Sequence, residues 1–367
     1  MASGRNVLVA VMGATGSGKT TFINTASGDG LRVGLGLRSC TSEIQLSKPF
    51  QVDDRLVTLI DTPGFDDTTK SDADILAMIA AFLASTYRQG TTLSGVIYIH
   101  RISDIRMGGI STRNFTMFRK LCGEATLRNV VLVSNMWSQV SLQLGEAREA
   151  ELASDPAFFK PVLDKGAQFL RNNNTFEGAK NILGYIIQNH PIPLCIQTEL
   201  VDEGKTVEDT TAGAEFGREL RERAEKHNEE MSQIQNEMNE AIRLKDEETK
   251  LELQARTNEI QAEIQRVHGD IQNLSTKYNA ETGKLQQQMQ EMGEAAQREK
   301  SSLIAQYEGR LNSVNHDLQQ MQRTSDNELA ALRTNIQQLE ARKEEAARRA
   351  AAAARKRRRR GPFGIRW

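Results

Sequence analysis

One glycine-rich run constrains the fold of this chain more than any other feature. Residues 13–20 read GATGSGKT and match the pattern G-x-x-x-x-G-K-[ST]. The apolar run NVLVAVM precedes it, and TTFINTAS, which can open a helix, follows it. Glycines let the backbone wrap closely around phosphate oxygens, and the N–H groups at a helix N-terminus attract anions. The pattern therefore predicts a strand, a phosphate-binding loop and a helix in that order.

This loop gives a candidate role to each of its residues. Lys19 is expected to reach the outer phosphates, and the hydroxyl of Thr20 is expected to bind Mg²⁺. The neighbouring backbone is expected to line the phosphates through Gly13, Ala14, Thr15, Gly16, Ser17, Gly18 and Thr21. The alternative is a chance glycine-rich turn before a helix, which would not require an apolar strand in front of it.

A second motif follows about 40 residues later. Residues 56–65 read LVTLIDTPGF, an apolar strand pattern that ends in Asp61. A carboxylate at this place can hold Mg²⁺ through water, and the N–H of Gly64 can bind a γ-phosphate and respond to its loss. Alone, DTPG is a common turn. Together with the phosphate loop it favours a GTPase, because most ATPases end this strand in paired acids.

These motifs resemble the G domains of the septin-related GTPases, a group that includes the septins, the immunity-associated GTPases (GIMAP) and the chloroplast import-receptor GTPases. The chain looks closest to fungal proteins that join such a G domain to a C-terminal coiled coil. The resemblance covers residues 5–201 and rests on GATGSGKT and DTPG, with weaker support from IYIHRISDIR and VVLVSNMW. It implies GTP and GDP as ligands, Mg²⁺ dependence, slow hydrolysis and dimerisation across the nucleotide face.

Strand and helix patterns alternate through this N-terminal region. We predict strands at Val7–Val11, Ile44–Val52, Val57–Ile60, Gly95–His100, Asn129–Ser134 and Pro193–Glu199. We predict helices at Lys19–Ala26, Asp72–Tyr87, Arg113–Cys122, Leu144–Ala153, Lys160–Arg171 and Phe176–Gln188. Alternating apolar strands and helices predict an α/β fold, with a mostly parallel sheet and helices on both faces.

Proline usage indicates where this pattern ends. Six of the seven prolines lie at or before Pro193, and the next is Pro362. A long segment without proline permits a long helix, because proline breaks helix interiors. We therefore expect a G domain at residues 1–201, a linker at 202–214, an α-helical coiled coil at 215–355 and a polybasic tail at 356–367.

Heptad spacing supports the coiled coil. The first block of the seam alternates steps of four and three along Leu253, Thr257, Ile260, Ile264, Val267, Ile271, Leu274, Tyr278, Glu281, Leu285, Gln288 and Met292. A second block follows a stutter near residues 294–300 and comprises Ile304, Tyr307, Leu311, Val314, Leu318, Met321 and, after a one-residue shift, Leu329, Leu332, Ile336 and Leu339. A narrow apolar seam must be covered, which favours a homo-oligomer. A lone charged helix or a folded-back hairpin are the alternatives.

The first switch residue is expected at Thr41, which follows Thr20 by 21 residues in the polar run SCTS. In this role Thr41 would bind Mg²⁺ and take part in catalysis when the γ-phosphate orders the loop. Ser39 and Ser42 are competing candidates, and an ordinary threonine at a strand entry is the alternative.

The base-binding motif departs from that of related GTPases, which carry N/T-K-x-D. Here Asn135 takes the first position, Met136 the lysine position and Ser138 the aspartate position. Serine cannot accept the two guanine hydrogen bonds that a carboxylate accepts. Met136 and Trp137 could pack on the base instead, although Trp137 could equally pack in the core. A further base contact could come from Gln197, Thr198 or Glu199.

The usual catalytic side chain is also missing, because the residue after Gly64 is Phe65. Arg106 is a candidate arginine finger supplied across a dimer, which can raise the rate of hydrolysis by several orders of magnitude. Arg101 and His100 are alternatives. A salt bridge or a cap at the strand end would explain Arg106 without catalysis.

Charge is distributed unevenly along the chain. The net charge is -1, but residues 341–367 contain eleven basic and two acidic residues, a net +9. Such a tail suits a nuclear-import receptor or nucleic acid, or an anionic membrane into which Phe363, Ile365 and Trp367 insert. A soluble helix end is the alternative. Three scattered cysteines and the lack of a membrane-spanning apolar run favour the cytoplasm, with the nucleus or a membrane surface as alternatives.

Three classes of function fit these patterns. The first is an active GTPase switch that is extended by a coiled coil. The second is a nucleotide-binding scaffold with little or no turnover, which Phe65 would favour. The third is a coiled-coil ATPase of the chromosome-maintenance type, against which the single nucleotide motif and the missing paired acids argue.

Overall fold

The computed structural model describes residues 6–31, 43–66, 70–104, 108–244 and 247–359. The chain forms two compact units, Met1–Gln288 and Met289–Trp367. The first unit contains the described sheet, and the described part of the second unit is helical. The α/β fold expected for the N-terminal region and the long C-terminal helix are both confirmed.

Seven strands form one sheet within the described residues. They are β1 (Asn6–Met12), β2 (Gln45–Leu46), β3 (Phe50–Val52), β4 (Arg55–Asp61), β5 (Gly95–Arg101), β6 (Val130–Asn135) and β7 (Gln168–Arg171). The order is β2-β4-β1-β5-β6-β7, and β3 also pairs with β4. Strands β4, β1, β5, β6 and β7 run parallel, whereas β2 and β3 are antiparallel to β4. The strand predicted at Ile44–Val52 is therefore two short strands.

Helices cover both faces of this sheet. They are α1 (Lys19–Ser27), α2 (Asp72–Arg88), α3 (Gly109–Cys122), α4 (Leu142–Ser154), α5 (Lys160–Leu163), α6 (Phe176–Ile187), α7 (Cys195–Gln197), α8 (Thr211–Leu244) and α9 (Glu247–Arg359). Alternate residues of a strand point to opposite faces. Accordingly, Val9 of β1 packs with α1 and α6, and Ala10 packs on the other face with α2 and α3.

Two of the predicted elements, one helix and one strand, are wrong. The helix predicted at Lys160–Arg171 ends at Leu163, and a left-handed Gly166 leads into β7, which pairs with β6. The strand predicted at Pro193–Glu199 is helical instead, because Gln197 binds the backbone of Leu194 and of Leu83 in α2. The four residues of β7 therefore form the strand beside β6 at the edge of the sheet.

The α8–α9 hairpin, defined as α8 and residues 247–288 of α9, belongs to the first unit. Phe216 and Leu220 of α8 and Val267 and Leu274 of α9 are buried in the same core as α2 and α3. Polar contacts link the two helices, with His227 Nε2 3.0 Å from Glu263 Oε2 and Arg256 Nη2 2.8 Å from Glu230 Oε1. Ile260, Val267 and Leu274 of the first block are thus covered within the chain, as the folded-back alternative expects, whereas Met292 at its end is exposed. The helix begins at Thr211 rather than at Glu215.

The described part of the second unit is the remainder of α9, from Met289 to Arg359. The apolar residues of the second heptad block and the adjacent Leu303 are between 47% and 74% exposed: Leu303, Ile304, Tyr307, Leu311, Val314, Leu318, Met321, Leu329, Leu332, Ile336 and Leu339. We call these residues the apolar stripe. In the part of the chain that the structure describes, no helix is apolar enough over a sufficient length to cross a membrane.

Candidate nucleotide site

The glycine-rich loop joins β1 to α1 at the carboxyl end of the parallel strands. In open α/β sheets, ligands bind outside these strand ends where the strand order reverses, and here β1 lies between β4 and β5. Gly13 has φ of 142°, and a Cβ there would lie 2.3 Å from the carbonyl oxygen of Ile99. Gly18 has φ of 94°, and a Cβ there would lie 2.4 Å from Asn135 Nδ2. Only glycine fits both positions, so the loop stays close to β5 and β6.

Lys19 and Thr20 open α1 and face the loop and β4. Lys19 Nζ donates to the carbonyl oxygens of Gly13 and Ala14, both at 3.0 Å, which places the ammonium group across the loop. Thr20 Oγ1 donates to Asp61 Oδ2 at 2.6 Å, and Asp61 is fully buried. The structure thus brings together the lysine, the hydroxyl and the carboxylate that the two motifs predicted.

A hydroxyl and a carboxylate in contact fit Mg²⁺. This ion prefers oxygen ligands and usually binds one or two protein oxygens together with phosphates and waters. Thr20 and Asp61 supply two such oxygens beside the phosphate loop. Among the described residues no group of three or more His, Cys, Asp or Glu side chains could hold a metal ion.

Gly64 lies directly against the phosphate loop. A Cβ at Gly64 would be 2.4 Å from the backbone nitrogen of Thr15, and Thr15 Oγ1 donates to the Gly64 carbonyl oxygen at 3.3 Å. Phe65 is buried in the core, and its carbonyl oxygen accepts from Asn114 Nδ2 of α3 at 3.3 Å. The DTPG loop is therefore in a position to sense what the phosphate loop holds.

Asn135, at the end of β6, binds the backbone of the phosphate loop. Asn135 Nδ2 donates to the Ser17 carbonyl oxygen at 2.8 Å. Met136 is left-handed with φ of 64°. Trp137 packs against Gly145 of α4, and its ring centroid lies 4.3 Å from the guanidinium carbon of Arg171. Of the two interpretations of Trp137, this geometry favours packing between α4 and Arg171.

A group of asparagines lies at the end of β7 and was not predicted from the sequence. Asn172 is buried, and its Nδ2 donates to Asn135 Oδ1 at 3.2 Å and to Asn174 Oδ1 at 3.0 Å. Asn174 is left-handed with φ of 55°. Amide side chains offer both donors and acceptors, which a purine edge requires. The run RNNNT could have pointed to this site if β7 had been recognised.

The Glu199 carboxylate, suggested above as a contact for the nucleotide base, binds other residues of the protein. Its carboxylate is buried and accepts from the Thr211 N–H at 3.0 Å and the Thr211 hydroxyl at 2.7 Å, while Lys205 Nζ lies 3.1 Å away. These contacts hold the N-terminus of α8. Gln197 is likewise occupied, because its side chain binds Leu194 and Leu83. Gln197 and Glu199 are thus occupied within the protein, and the remaining candidates for base binding lie at the ends of β6 and β7.

The alternatives to a catalytic Arg106 lie at the end of β5. His100 is buried against Phe159, and burial lowers the pKa of His100 to about 4, so the imidazole is neutral at pH 7. Arg101 Nη1 lies 3.3 Å from the position of a Cβ on Gly16, and its Nε lies 2.9 Å from Asp104 Oδ1. Arg101 is thus a cation beside the phosphate loop, whereas Thr41 and Arg106 lie outside the described residues.

Residues 8–133 match the family model described as 50S ribosome-binding GTPase, which is about a third of the chain. Together with the loop, the Thr20–Asp61 contact and the strand order, this match decides the domain type. Residues 8–133 belong to a P-loop GTPase G domain. No curated protein matches the chain.

Solved structures of GTPases are similar to about half of the chain. Toc33 from Arabidopsis thaliana, in complex with Mg²⁺ and GMPPNP, has 18% identity, covers 50% of this chain and 84% of its own, and gives a TM-score of 0.39. A structure of the chloroplast translocon components atToc33 and psToc159, for which dimerisation is important for GTPase activity, has 14% identity, 50% and 82% coverage, and a TM-score of 0.39. The G domain of the T. maritima FeoB iron transporter has 18% identity, 49% and 99% coverage, and a TM-score of 0.33.

Proposed function

We propose that this chain is a Mg²⁺-dependent GTP-binding switch that hydrolyses GTP slowly, dimerises and is extended by a coiled coil. One observation carries the proposal, namely the loop in which Lys19, Thr20 and buried Asp61 meet at the carboxyl end of β1 and β4. Backbone N–H groups and the α1 dipole favour phosphate there. The match of residues 8–133 to a GTPase family supports guanine nucleotides as the ligand.

The residues of the site have separate tasks in this proposal. Lys19 would leave the carbonyl oxygens of Gly13 and Ala14 to bind the outer phosphates, and Thr20 and Asp61 would hold Mg²⁺, which would offset the charge of the phosphates. Gly64 contacts the γ-phosphate through its N–H, so the DTPG loop differs between GTP and GDP. Thr41 remains the proposed switch threonine.

The side chain that usually orients water in a GTPase is missing from this chain. Phe65 is buried in the core and has no group that orients water. Arg101 lies beside Gly16, and Arg106 remains the proposed finger in a dimer. A residue supplied by a second subunit would make turnover depend on dimerisation. The scaffold with little hydrolysis is the second candidate, and buried Phe65 is the observation that favours it.

Base recognition gives the first test. We expect calorimetry with Mg²⁺ to show tighter binding of GDP and a non-hydrolysable GTP analogue than of ADP and ATP analogues. Asn172→Ala should reduce the ratio of the affinity for guanine nucleotides to the affinity for adenine nucleotides about 10-fold. The reason is that it removes amide contacts at the ends of β6 and β7. Asn181→Ala, on the exposed side of α6, is the matched control and should leave the ratio unchanged. A preference for ATP in the unchanged chain would refute the switch and the scaffold alike.

Turnover distinguishes the switch from the scaffold. For the switch we expect the rate of phosphate release per chain to rise with protein concentration, because a dimer completes the site. Tight GTP binding without turnover at any concentration would support the scaffold instead.

Self-association through the apolar stripe is part of the proposal. Its eleven residues are exposed on α9, and heptad spacing lets two such helices interlock. Without nucleotide, so that only the stripe holds the subunits together, we expect light scattering to give at least twice the mass of one chain, and Leu311→Asp with Leu318→Asp to reduce it to the mass of one chain. Leu251→Asp, on an exposed position outside the seam, is the control. An unchanged mass in the double variant would exclude the stripe as the interface.

The polybasic tail adds a targeting role to this proposal. We place the protein in the cytoplasm, with its tail on an anionic membrane or on a nuclear-import receptor. Each lysine or arginine near an anionic surface contributes about 1 kcal/mol, so the tail's charge is sufficient for membrane binding at moderate salt. Flotation with vesicles of anionic and of neutral lipid tests this choice. Binding to the anionic vesicles alone would support the membrane, and binding to neither would support the receptor.

A further inference from the structure

A charged cavity of about 890 Å³ is lined mainly by the α8–α9 hairpin and by helices α2 and α3. Charged side chains make up most of its lining, and Leu220 and Val267 are its apolar members. The volume is typical of small-molecule sites, which usually have a mostly apolar lining. Among the described residues that line the cavity, none belongs to the nucleotide site. The lining therefore suits a charged ligand other than the nucleotide.

Four of the acidic side chains in this lining already have a basic partner. The pairs are Asp72–Arg113, Glu222–Arg218, Glu263–His227 and Asp270–Lys277. These carboxylates are therefore engaged within the protein, and two of the lining cations, Arg113 and Arg218, are engaged with them.

Three basic side chains of the lining have no such partner. Arg223 and Lys226 on α8 and Arg266 on α9 face the cavity, and no described residue forms a hydrogen bond or an ion pair with their side chains. A single exposed cation needs no partner in water, so the arrangement of the three decides whether they form a site.

The register of the hairpin brings the two arginines to the same level. His227 Nε2 of α8 lies 3.0 Å from Glu263 Oε2 of α9. Because the two helices are antiparallel, about one turn back along α8 reaches Arg223 and about one turn forward along α9 reaches Arg266. Two guanidinium groups at one level, neither of which is paired with a carboxylate, repel each other. An anion in the cavity would offset this repulsion.

The buried carboxyl group of the lining opposes an anion only weakly. Glu219 is 12% exposed, and its Oε2 lies 3.7 Å from Arg113 Nε. Burial raises the pKa of Glu219 to about 7, although Arg113 opposes this effect and Glu215 adds to it. Near pH 7 the carboxyl group is therefore partly neutral, and it repels a bound anion less than an ordinary glutamate does.

Phosphate is the anion that these cations fit. Guanidinium groups bind phosphate through two parallel N–H donors, and a lysine ammonium group adds a point charge. Three unpaired cations can neutralise more negative charge than one phosphate carries. We propose that this cavity binds a small group with at least two phosphates, which Arg223, Lys226 and Arg266 hold. The site is separate from the phosphate loop and does not depend on the proposed function.

Inositol hexakisphosphate, a compact ring with six phosphates, is the probe for the test. A ligand that binds only the folded chain raises its unfolding temperature, so calorimetry at pH 8 without Mg²⁺ should show a rise with probe concentration. Arg223→Ala with Arg266→Ala should need about 100-fold more probe for the same rise, because each lost contact between arginine and phosphate weakens binding about 10-fold.

Arg221→Ala is the matched control, because Arg221 is exposed on the same helix but does not line the cavity. This variant should respond to the probe as the unchanged chain does. Without the probe, the double variant should unfold at no lower temperature than the unchanged chain, because the described residues give neither arginine a partner to lose.

Glu219→Gln provides a change of opposite sign. At pH 8 the Glu219 carboxyl group is mostly ionised and repels the probe, so the amide should bind the probe about 3-fold more tightly. The proposal is refuted if the unchanged chain shows no rise or if the double variant responds as Arg221→Ala does. Binding to Glu219→Gln that is no tighter than to the unchanged chain would equally exclude the cavity as the site.

Such a ligand has two sources, a soluble phosphorylated compound and the headgroup of a phosphorylated lipid. Flotation with vesicles of phosphatidylinositol bisphosphate and with phosphatidylserine vesicles of equal charge distinguishes them, because equal charge keeps any contribution of the polybasic tail the same. If the double variant loses binding to the first vesicles only, the ligand is a headgroup. If it floats as Arg221→Ala does, the ligand is a soluble compound. An equal loss on both vesicles would mean that the arginines act as unspecific surface charge, and it would contradict the proposed site.

Discussion

Lys19→Ala is expected to weaken GDP binding about 100-fold. The ammonium group lies 3.0 Å from two carbonyl oxygens of the phosphate loop, so it is already held where the outer phosphates must pass. A hydrogen bond to a charged group contributes about 1.5–3 kcal/mol, and each 1.4 kcal/mol is tenfold in affinity. The substitution also removes a positive charge from the loop that holds the phosphates.

Titration calorimetry with GDP and Mg²⁺ checks this prediction. Lys48→Ala is the matched control, because Lys48 is 85% exposed and pairs only loosely with Asp29, at 3.3 Å. It should bind GDP as the unchanged chain does. Circular dichroism should show that both variants keep their helix content. Unchanged affinity in Lys19→Ala would mean that the glycine-rich loop is a structural turn.

The central part of the site was predictable because its chemistry is local in the sequence. The run GATGSGKT contains the loop, the lysine and the hydroxyl, and DTPG places a carboxylate at a strand end. Long apolar strands are buried on both faces of a parallel sheet, so β1, β4, β5 and β6 were recognisable. Strand adjacency then brings Asp61 to Thr20, because β1 pairs with β4 in register.

The edge of the sheet was not predictable in the same way. Strand β7 has four residues, and Gln168 and Arg171 at its ends are exposed, so it lacks the apolar run by which a buried strand is recognised. The segment from Pro193 to Glu199 has more apolar residues but packs on α2. Missing β7 also hid Asn172 and Asn174, because a strand must be placed before the residues at its end gain a role.

Periodicity showed that a seam exists but did not show what covers it. Ile260, Val267 and Leu274 are buried at 1%, 4% and 2% exposure within the first unit, whereas the apolar stripe after Met289 is exposed. Both blocks have the same steps of three and four. The difference comes from α8, which folds back along α9 in the first unit, and heptad spacing alone carries no information about chain reversal.

Glu199→Gln is expected to lower the stability of the first unit by about 2 kcal/mol, because a charged acceptor of hydrogen bonds is lost. The carboxylate is buried and accepts from both the N–H and the hydroxyl of Thr211, besides pairing with Lys205. The side-chain amide of the introduced glutamine places its own N–H group against a donor of Thr211 or Lys205. For a domain of this size the unfolding temperature should fall by about 4–8 °C.

The contribution of the Glu199 carboxylate to stability depends on pH in a defined direction. Burial alone would raise the pKa of Glu199, but the hydrogen bonds from Thr211 and the Lys205 ammonium group together lower it. A carboxyl group whose pKa is lower in the folded state stabilises the fold above its unfolded pKa, which is about 4.3. This contribution is lost as the pH falls through the folded pKa. The difference in stability between the unchanged chain and Glu199→Gln should therefore be full at pH 7 and shrink below about pH 4.

Glu203→Gln is the matched control, because Glu203 pairs with the same Lys205 at 2.9 Å but is half exposed. Exposed ion pairs contribute about 0–1 kcal/mol, so this variant should unfold within a degree or two of the unchanged chain. The same pair of variants decides the role of Glu199. If its carboxylate bound guanine, Glu199→Gln would change the ratio of GDP to ADP affinity with little effect on unfolding. Because it caps α8 instead, we expect the unfolding temperature to fall and the ratio to stay the same.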